Sequence, residues 1–257
     1  MRIAPDSTLR VAYGETASFE LSVDAEITKV CLRLDGADAQ EVELSSGGLV
    51  LPRSFQAPAI VQAAWFADGS KDAVAYTTFE VVSRHYFELD QLKSYGDGTD
   101  DFSNKSEEQL WAVRQAATET FERNAKRSFV HRCGSTRVYG SPRFVELDDC
   151  DVYEITAPAS AKLVSDCQVR VQDNYGSDIG RIQYKYGADT LPYRVSIAVL
   201  DLAAYYLRAD VVSSRAVGEA TDAGFLRFTI AGRDGATGLP EVDAVIEQFG
   251  RKRYGVA

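Results

Sequence analysis

Two histidines and four cysteines are the residues of this chain best suited to metal or thiol chemistry. His131 and Cys133 stand two apart, and Cys150 and Cys167 follow singly. Together they amount to four zinc-ligating side chains. Structural zinc sites bring their ligands in close pairs such as C-x-x-C, and only the first two approach that spacing. Single cysteines spread through strand-like sequence read instead as small core residues. Asp97, Asp101 and Glu108 imitate part of a calcium loop, but Phe102 occupies the place of the sharp-turn glycine. That segment reads as a solvated acidic loop capping the next helix. Asp148, Asp149 and Asp151 put three carboxylates near one turn. Metal binding, a solvent-exposed turn and a channel-facing patch all stay open there. Gly232, Gly235 and Gly238 follow no buried strand in nucleotide-binding register and read as a flexible turn. There is no nucleophile elbow, Walker loop or zinc-protease helix. The expectation is a chain that is not an enzyme and needs no cofactor.

Charge narrows the partners. Lys and Arg number 28 against 38 Asp and Glu, a formal net charge of −10. Proteins that live by gripping phosphates are usually basic, so an ordinary nucleic-acid-binding protein is not expected. The dense basic cluster is Arg251-Lys252-Arg253, followed by Tyr254. It either favours a helix dipole in water or docks on an acidic partner. The opening MRIAPDSTLR has no apolar run, and no window approaches the roughly 18 apolar residues of a membrane span. The expectation is a chain made in a reducing cytoplasm and not in a membrane.

The elements that must carry these residues fall into two kinds. Residues 1 to 82 alternate apolar and polar: Phe19, Leu21, Val23; Val30, Leu32, Leu34; Val42, Leu44. Turn signals stand at Asp35-Gly36, Gly47-Gly48 and Asp68-Gly69, the last between runs 60–66 and 73–82 that predict a terminal hairpin. Several short strands without helical period predict an immunoglobulin-like sandwich with Trp65 in its core. An outward Tyr13, Trp65 or Tyr76 would make it a carbohydrate- or host-surface-binding module, the alternative function for this chain.

From residue 83 the pattern changes. Leu89, Leu92 and Tyr95 have helical spacing. Ser106 with Gln109 makes a capping box for a helix over 106–126, whose face is Leu110, Val113, Ala117 and Phe121. Strands are expected at 128–139, 144–147, 151–156, 161–171 and 181–186, then a helix from Pro192 to Ala209. Val195, Ala198, Val199, Leu202 and Tyr206 form one apolar face of it, and Tyr193, Ile197, Leu200, Ala204 and Leu207 a second. Only a thin stripe of Arg194, Asp201 and Arg208 is polar. A helix apolar nearly all round must be covered nearly all round. A subunit interface at the second face, with Trp111 as a further anchor, is the expected source of cover. A strand at 225–230 and a short helix opened by Pro240 and closed by Gly250 complete the chain. The fold class is α+β in two domains, 1–82 and 83–257.

Residues 87–257 resemble the head–tail connector (adaptor, head-completion) proteins of long-tailed bacteriophages. The resemblance lies in FELDQLKSY with EEQLWAVRQAATETFERNAKRSF, in LPYRVSIAVLDLAAYYLRA, and in VVSSRAVGEATDAGFLRFTIAGRDGATGLPEVDAVIEQFGRKRYG. The last is similar to the tail of connectors from phages of actinobacterial hosts, with GLPEVDAVI its most specific part. Residues 1–82 lie outside the family pattern. The resemblance implies a twelve-fold ring beneath the portal protein, in the virion neck. That ring extends the DNA channel, passes DNA without sequence-specific binding and offers a platform to the next neck or tail-completion protein. It also implies docking to the portal or a neighbouring subunit through Leu239, Pro240, Phe249, Arg251, Lys252, Arg253 and Tyr254. It implies no catalysis. An acidic wall that repels phosphates suits such a conduit.

Overall fold

The computed structural model describes residues 1–34, 39–44, 48–95, 102–140, 142–171, 180–208, 218–221, 224–227 and 236–251, the short pieces 218–221 and 224–227 by their backbone alone. The chain is α+β. Its residues gather in two compact units: Met1–His85 with Ser128–Asp189, and Tyr86–Arg127 with Thr190–Ala257. Each unit is therefore built from two separate stretches of sequence.

The first unit opens with seven strands: β1 (Arg2–Ile3), β2 (Thr8–Ala12), β3 (Glu20–Leu21), β4 (Ile27–Leu34), β5 (Gln40–Glu43), β6 (Ala59–Ala67) and β7 (Ala75–Val82). Five of them form one sheet in the order β2-β7-β6-β4-β5, with β2 parallel to β7 and the other pairs antiparallel. Strands β1 and β3 pair in parallel. The terminal hairpin β6–β7 forms as its turn signal predicts, with Gly69 at φ +66°. Alternation sends Val30, Leu32, Val61, Ala63, Trp65 and Phe79 inward, all with no exposure. The Trp65 indole donates from Nε1 to Thr77 Oγ1 at 2.8 Å, so its one polar atom is satisfied inside the core.

The same unit takes in six more strands: β8 (Arg132–Arg137), β9 (Phe144–Glu146), β10 (Val152–Ala157), β11 (Ala161–Ser165), β12 (Gln168–Val171) and β13 (Arg181–Tyr186). They make two antiparallel three-stranded sheets, β10-β13-β8 and β11-β12-β9. The sheets share a core that includes Val138, Val145, Val169, Val171, Ile182 and Tyr184. The single strand expected over 161–171 is a hairpin instead, because the chain turns at Asp166-Cys167.

A buried ion group ties these strands to the five-stranded sheet. Glu80 on β7 is 5% exposed. Its carboxylate accepts from Arg10 Nε at 3.1 Å and from Arg132 Nε and Nη2 at 2.5 and 2.9 Å. Nearby, Arg84 Nη2 donates to the Asp189 carbonyl at 2.6 Å. A carboxylate shared by two guanidinium groups is stable only while all three stay paired.

The second unit is helical: α1 (Leu89–Lys93), α2 (Glu107–Ala125), α3 (Tyr193–Arg208) and α4 (Pro240–Phe249), with a hairpin of β14 (Gly218–Thr221) and β15 (Gly224–Arg227). The capping box forms as the sequence predicts. Gln109 N donates to Ser106 Oγ at 3.2 Å, and Ser106 N to Gln109 Oε1 at 3.1 Å. Leu110, Ala117 and Phe121 of α2 and Val195, Val199 and Leu202 of α3 are fully buried. Helix α4 closes on the end of α2 at Gly250. A Cβ there would lie 2.4 Å from the Ile246 carbonyl oxygen and 3.1 Å from that of Ala125, so only glycine fits.

Removing the central carboxylate should therefore strand two guanidinium groups in the first unit. Glu80→Ala is expected to lower the unfolding free energy by about 3–5 kcal/mol in urea denaturation. Wild-type stability in that variant would show that the ion group carries no weight.

Candidate functional site

The sequence-predicted interface residues do not share one fate. Trp111, Leu200, Ala204 and Leu207 are at most 6% exposed within the single chain and have no surface to offer a second subunit. For Trp111 the reason is local: the Arg114 guanidinium lies 4.3 Å from the centre of its ring. For the α3 residues, packing inside the chain supplies the cover expected from a neighbour. Two of the set stay open. Tyr193 is 78% exposed, and Ile197 is half-buried.

These two line a groove where α3 packs on α4. One part, of about 410 Å³, lies among Tyr193, Ile197, Ala198, Ala244 and Val245, with Arg194 at its rim. The adjoining part, of about 390 Å³, lies among Tyr205, Arg208, Leu239, Pro240 and Val242. Asp201 and Glu241 border both. The groove thus gathers Tyr193 and Ile197 from the expected subunit interface and Leu239 and Pro240 from the expected docking tail. The sequence separates these pairs by some 40 residues. Ala244 is exposed, and its small side chain leaves the recess unfilled.

The polar stripe of α3 also turns up here. Arg194, Asp201 and Arg208 all border the groove. Arg194 Nη1 donates to Gln248 Oε1 on α4 at 2.7 Å. Asp201 accepts from the Tyr95 hydroxyl, which follows α1. Burial of the phenol, then its bond to Asp201, pushes the Tyr95 pKa up to about 12. The hydroxyl therefore stays a donor at neutral pH and holds the carboxylate at the junction of the two parts. The stripe's seven-residue spacing was the signal for this edge, but sequence alone does not say that it borders a recess.

The rest of the expected docking tail is only partly described. Phe249 is half-buried, and its carbonyl accepts from Arg127 Nη1 at 3.4 Å. Arg251 N donates to the Ala125 carbonyl at 2.8 Å, which lays the chain against the end of α2. Lys252, Arg253 and Tyr254 lie outside the described residues, as do Asp97, Asp101, Gly232 and Gly235.

Among the described residues, no three His, Cys, Asp or Glu side chains converge as a metal site would need. His131 packs against Tyr153, ring centres 4.6 Å apart and planes tilted by 41°. Near residue 150 the Asp149 carboxylate and the Asp148 backbone brace a turn. Tyr184 Oη donates to Asp149 Oδ2 at 2.9 Å and lies 3.1 Å from Thr136 Oγ1, which accepts from Asp148 N at 3.0 Å. Burial raises the Asp149 pKa above its ordinary 3.8, opposed by the Tyr184 hydrogen bond and by Arg132. Of the aromatics proposed for ligand binding on the N-terminal strands, Trp65 is buried, while Tyr13 and Tyr76 are 46% and 58% exposed. No helix among the described residues is long and apolar enough to cross a membrane.

No family model and no curated protein matches the chain. Solved structures similar to it include two from gene transfer agent particles. One is a chain from the neck of an empty gene transfer agent (GTA) particle computed with C6 symmetry. It is 16% identical with a TM-score of 0.41, over 67% of this chain and 93% of that one. The other is a chain from the virion of a native GTA particle. It is 17% identical with a TM-score of 0.38, over 66% of this chain and 90% of that one. Neither likeness assigns a role to a residue.

The strained carboxyl gives a pH test. Folding raises the Asp149 pKa, so its contribution to stability is full below pH 3.8 and is lost as pH rises through the folded value. At neutral pH the ionised group is a burden that asparagine lacks. Asp149→Asn should melt above wild type at pH 7, and the gap should close on acidification. A gap that is constant with pH would refute this account.

Proposed function

We propose that this chain is a structural protein of a virion neck, a head–tail connector that assembles as a ring beneath the portal. In this reading residues 83–257 carry the connector sequence and 1–82 are an added immunoglobulin-like segment, which packs in one compact unit with residues 128–189 of the connector sequence. The ring, of twelve copies, extends the DNA channel and presents a platform to the next neck or tail-completion protein. Its work is assembly, not catalysis.

The observation that carries the reading is the α3–α4 groove. A solvated recess lined by Tyr193, Ile197, Leu239 and Pro240 leaves apolar surface in water, and such surface marks a docking site. A head-to-tail contact, in which one face of a subunit fills a different face of the next, closes into a ring when the rotation allows. The connector resemblance implies a ring body that contains α3 and a subunit or portal contact through the segment from Gly238, and both elements border this groove. The exposed Tyr193 supplies the kind of aromatic anchor that dominates interface energetics. The buried α3 residues Leu200, Ala204 and Leu207 form the support on which that surface rests.

Negative-stain images and light scattering of the purified chain, alone and with portal protein, test the reading. Closed rings with a central hole are expected. Tyr193→Ser combined with Ile197→Ser should abolish them, a loss of at least tenfold in association, while the melting temperature stays near wild type. Rings that form unchanged in the double variant would remove the groove from the interface. Particles that assemble normally without the chain would refute the neck role.

A further inference from the structure

Helix α2 carries an uncovered face that the core of the second unit does not use. Leu110, Ala117 and Phe121 point inward and are fully buried, but Val113, expected on the same face, is only half-buried. Beside it Ala112 and Ala116 are exposed. Exposed carboxylates flank this apolar centre, Glu108 towards one end of the helix and Glu119 towards the other. Gln115 Nε2 donates to Glu119 Oε1 at 2.9 Å, which holds that carboxylate along the edge of the face.

The face matches the α3–α4 groove in position, length, relief and charge. Helix α2 packs on both α3 and α4, yet among the described residues none from α2 lines either part of the groove. The face and the groove therefore look out from different sides of one compact unit, as a head-to-tail contact between copies requires. At the helical rise of about 1.5 Å per residue, the face runs about 21 Å from Gln109 to Arg123, and α3 runs about 22 Å from Tyr193 to Arg208 along the groove. Alanines at the centre of a helix face let its axis approach closely, so the helix itself can enter the recess left over Ala244. Arg194 borders one part of the groove and Arg208 the other, both exposed, and the face has a carboxylate towards each end. At mid-length the face has only small neutral side chains. There the groove has Asp201, already bonded to the Tyr95 hydroxyl, and Glu241, which is open to water. Carboxylates set against guanidinium groups at both ends fix the register of such a contact.

We propose that helix α2 of one copy lies in the α3–α4 groove of the next, with Ala116 over Ala244. The inference rests on the ring reading and names the surface that fills the groove. Each copy gives one face and receives at the other, so a closed ring leaves neither in water.

Cysteines at positions 116 and 244 of the full chain test this, because a disulfide forms only when the two Cα atoms come within about 7 Å. Both alanines are exposed. On mild oxidation Ala116→Cys/Ala244→Cys should give a ladder of covalent dimers, trimers and larger species that reductant collapses. The two single variants, which keep the four native cysteines, should give none. Ala116→Glu sets a further carboxylate against Asp201 and Glu241 and should weaken association by about tenfold or more, with a melting temperature near wild type. No ladder from the double variant, or dimers from Ala116→Cys alone through an α2–α2 contact, overturns the proposal. Undiminished rings in Ala116→Glu overturn it too. If those rings are still lost in Tyr193→Ser/Ile197→Ser, the groove remains the interface and another surface, residues 252–257 or the portal protein, fills it. Absence of rings in wild type, alone and with portal protein, removes the ring reading and this inference together.

Discussion

Helix α3 carries apolar side chains on two faces and charge at only Arg194, Asp201 and Arg208, so water must be kept from most of its circumference. That requirement organises the second unit. Helix α2 lays Leu110, Ala117 and Phe121 into its packed core, and α4 contributes Val242, Val245 and Ile246. Full burial of a Leu or Val side chain is worth about 1.5–3 kcal/mol, so Val195, Val199, Leu202 and Leu207 supply much of the drive for the helices to associate. Where α4 presents the small Ala244 the recess stays unfilled, and the groove is what remains. The surface proposed for docking is thus a consequence of how α3 is packed.

Polar groups are handled differently in the two units. In the first, Glu80 is buried and held by two arginines from sequence positions 70 residues before and 52 after it. This fixes β8 against the sheet with an orientation that apolar contact alone would leave loose. In the second, Asp201 stays at the groove edge, held by the Tyr95 hydroxyl. The first carboxylate is structural. The second gives a recess with an apolar floor one fixed polar point at its edge, the combination by which binding sites set the orientation of what they accept.

Elements with strong local signals were legible in the sequence. The Ser106–Gln109 box, Pro240 and the 3.6-residue spacing of α2, α3 and α4 set those helices within a residue or two, and Asp68-Gly69 set the β6–β7 hairpin. The expected strand over 161–171 failed because its alternation continues through a turn whose residues, Asp166 and Cys167, lack a glycine signal. Periodicity identifies both apolar faces of α3 but not which of them the chain itself covers, and Leu200, Ala204 and Leu207 are buried within the chain. Trp111 lies off the main face of α2, and spacing does not show that the Arg114 guanidinium packs over its ring.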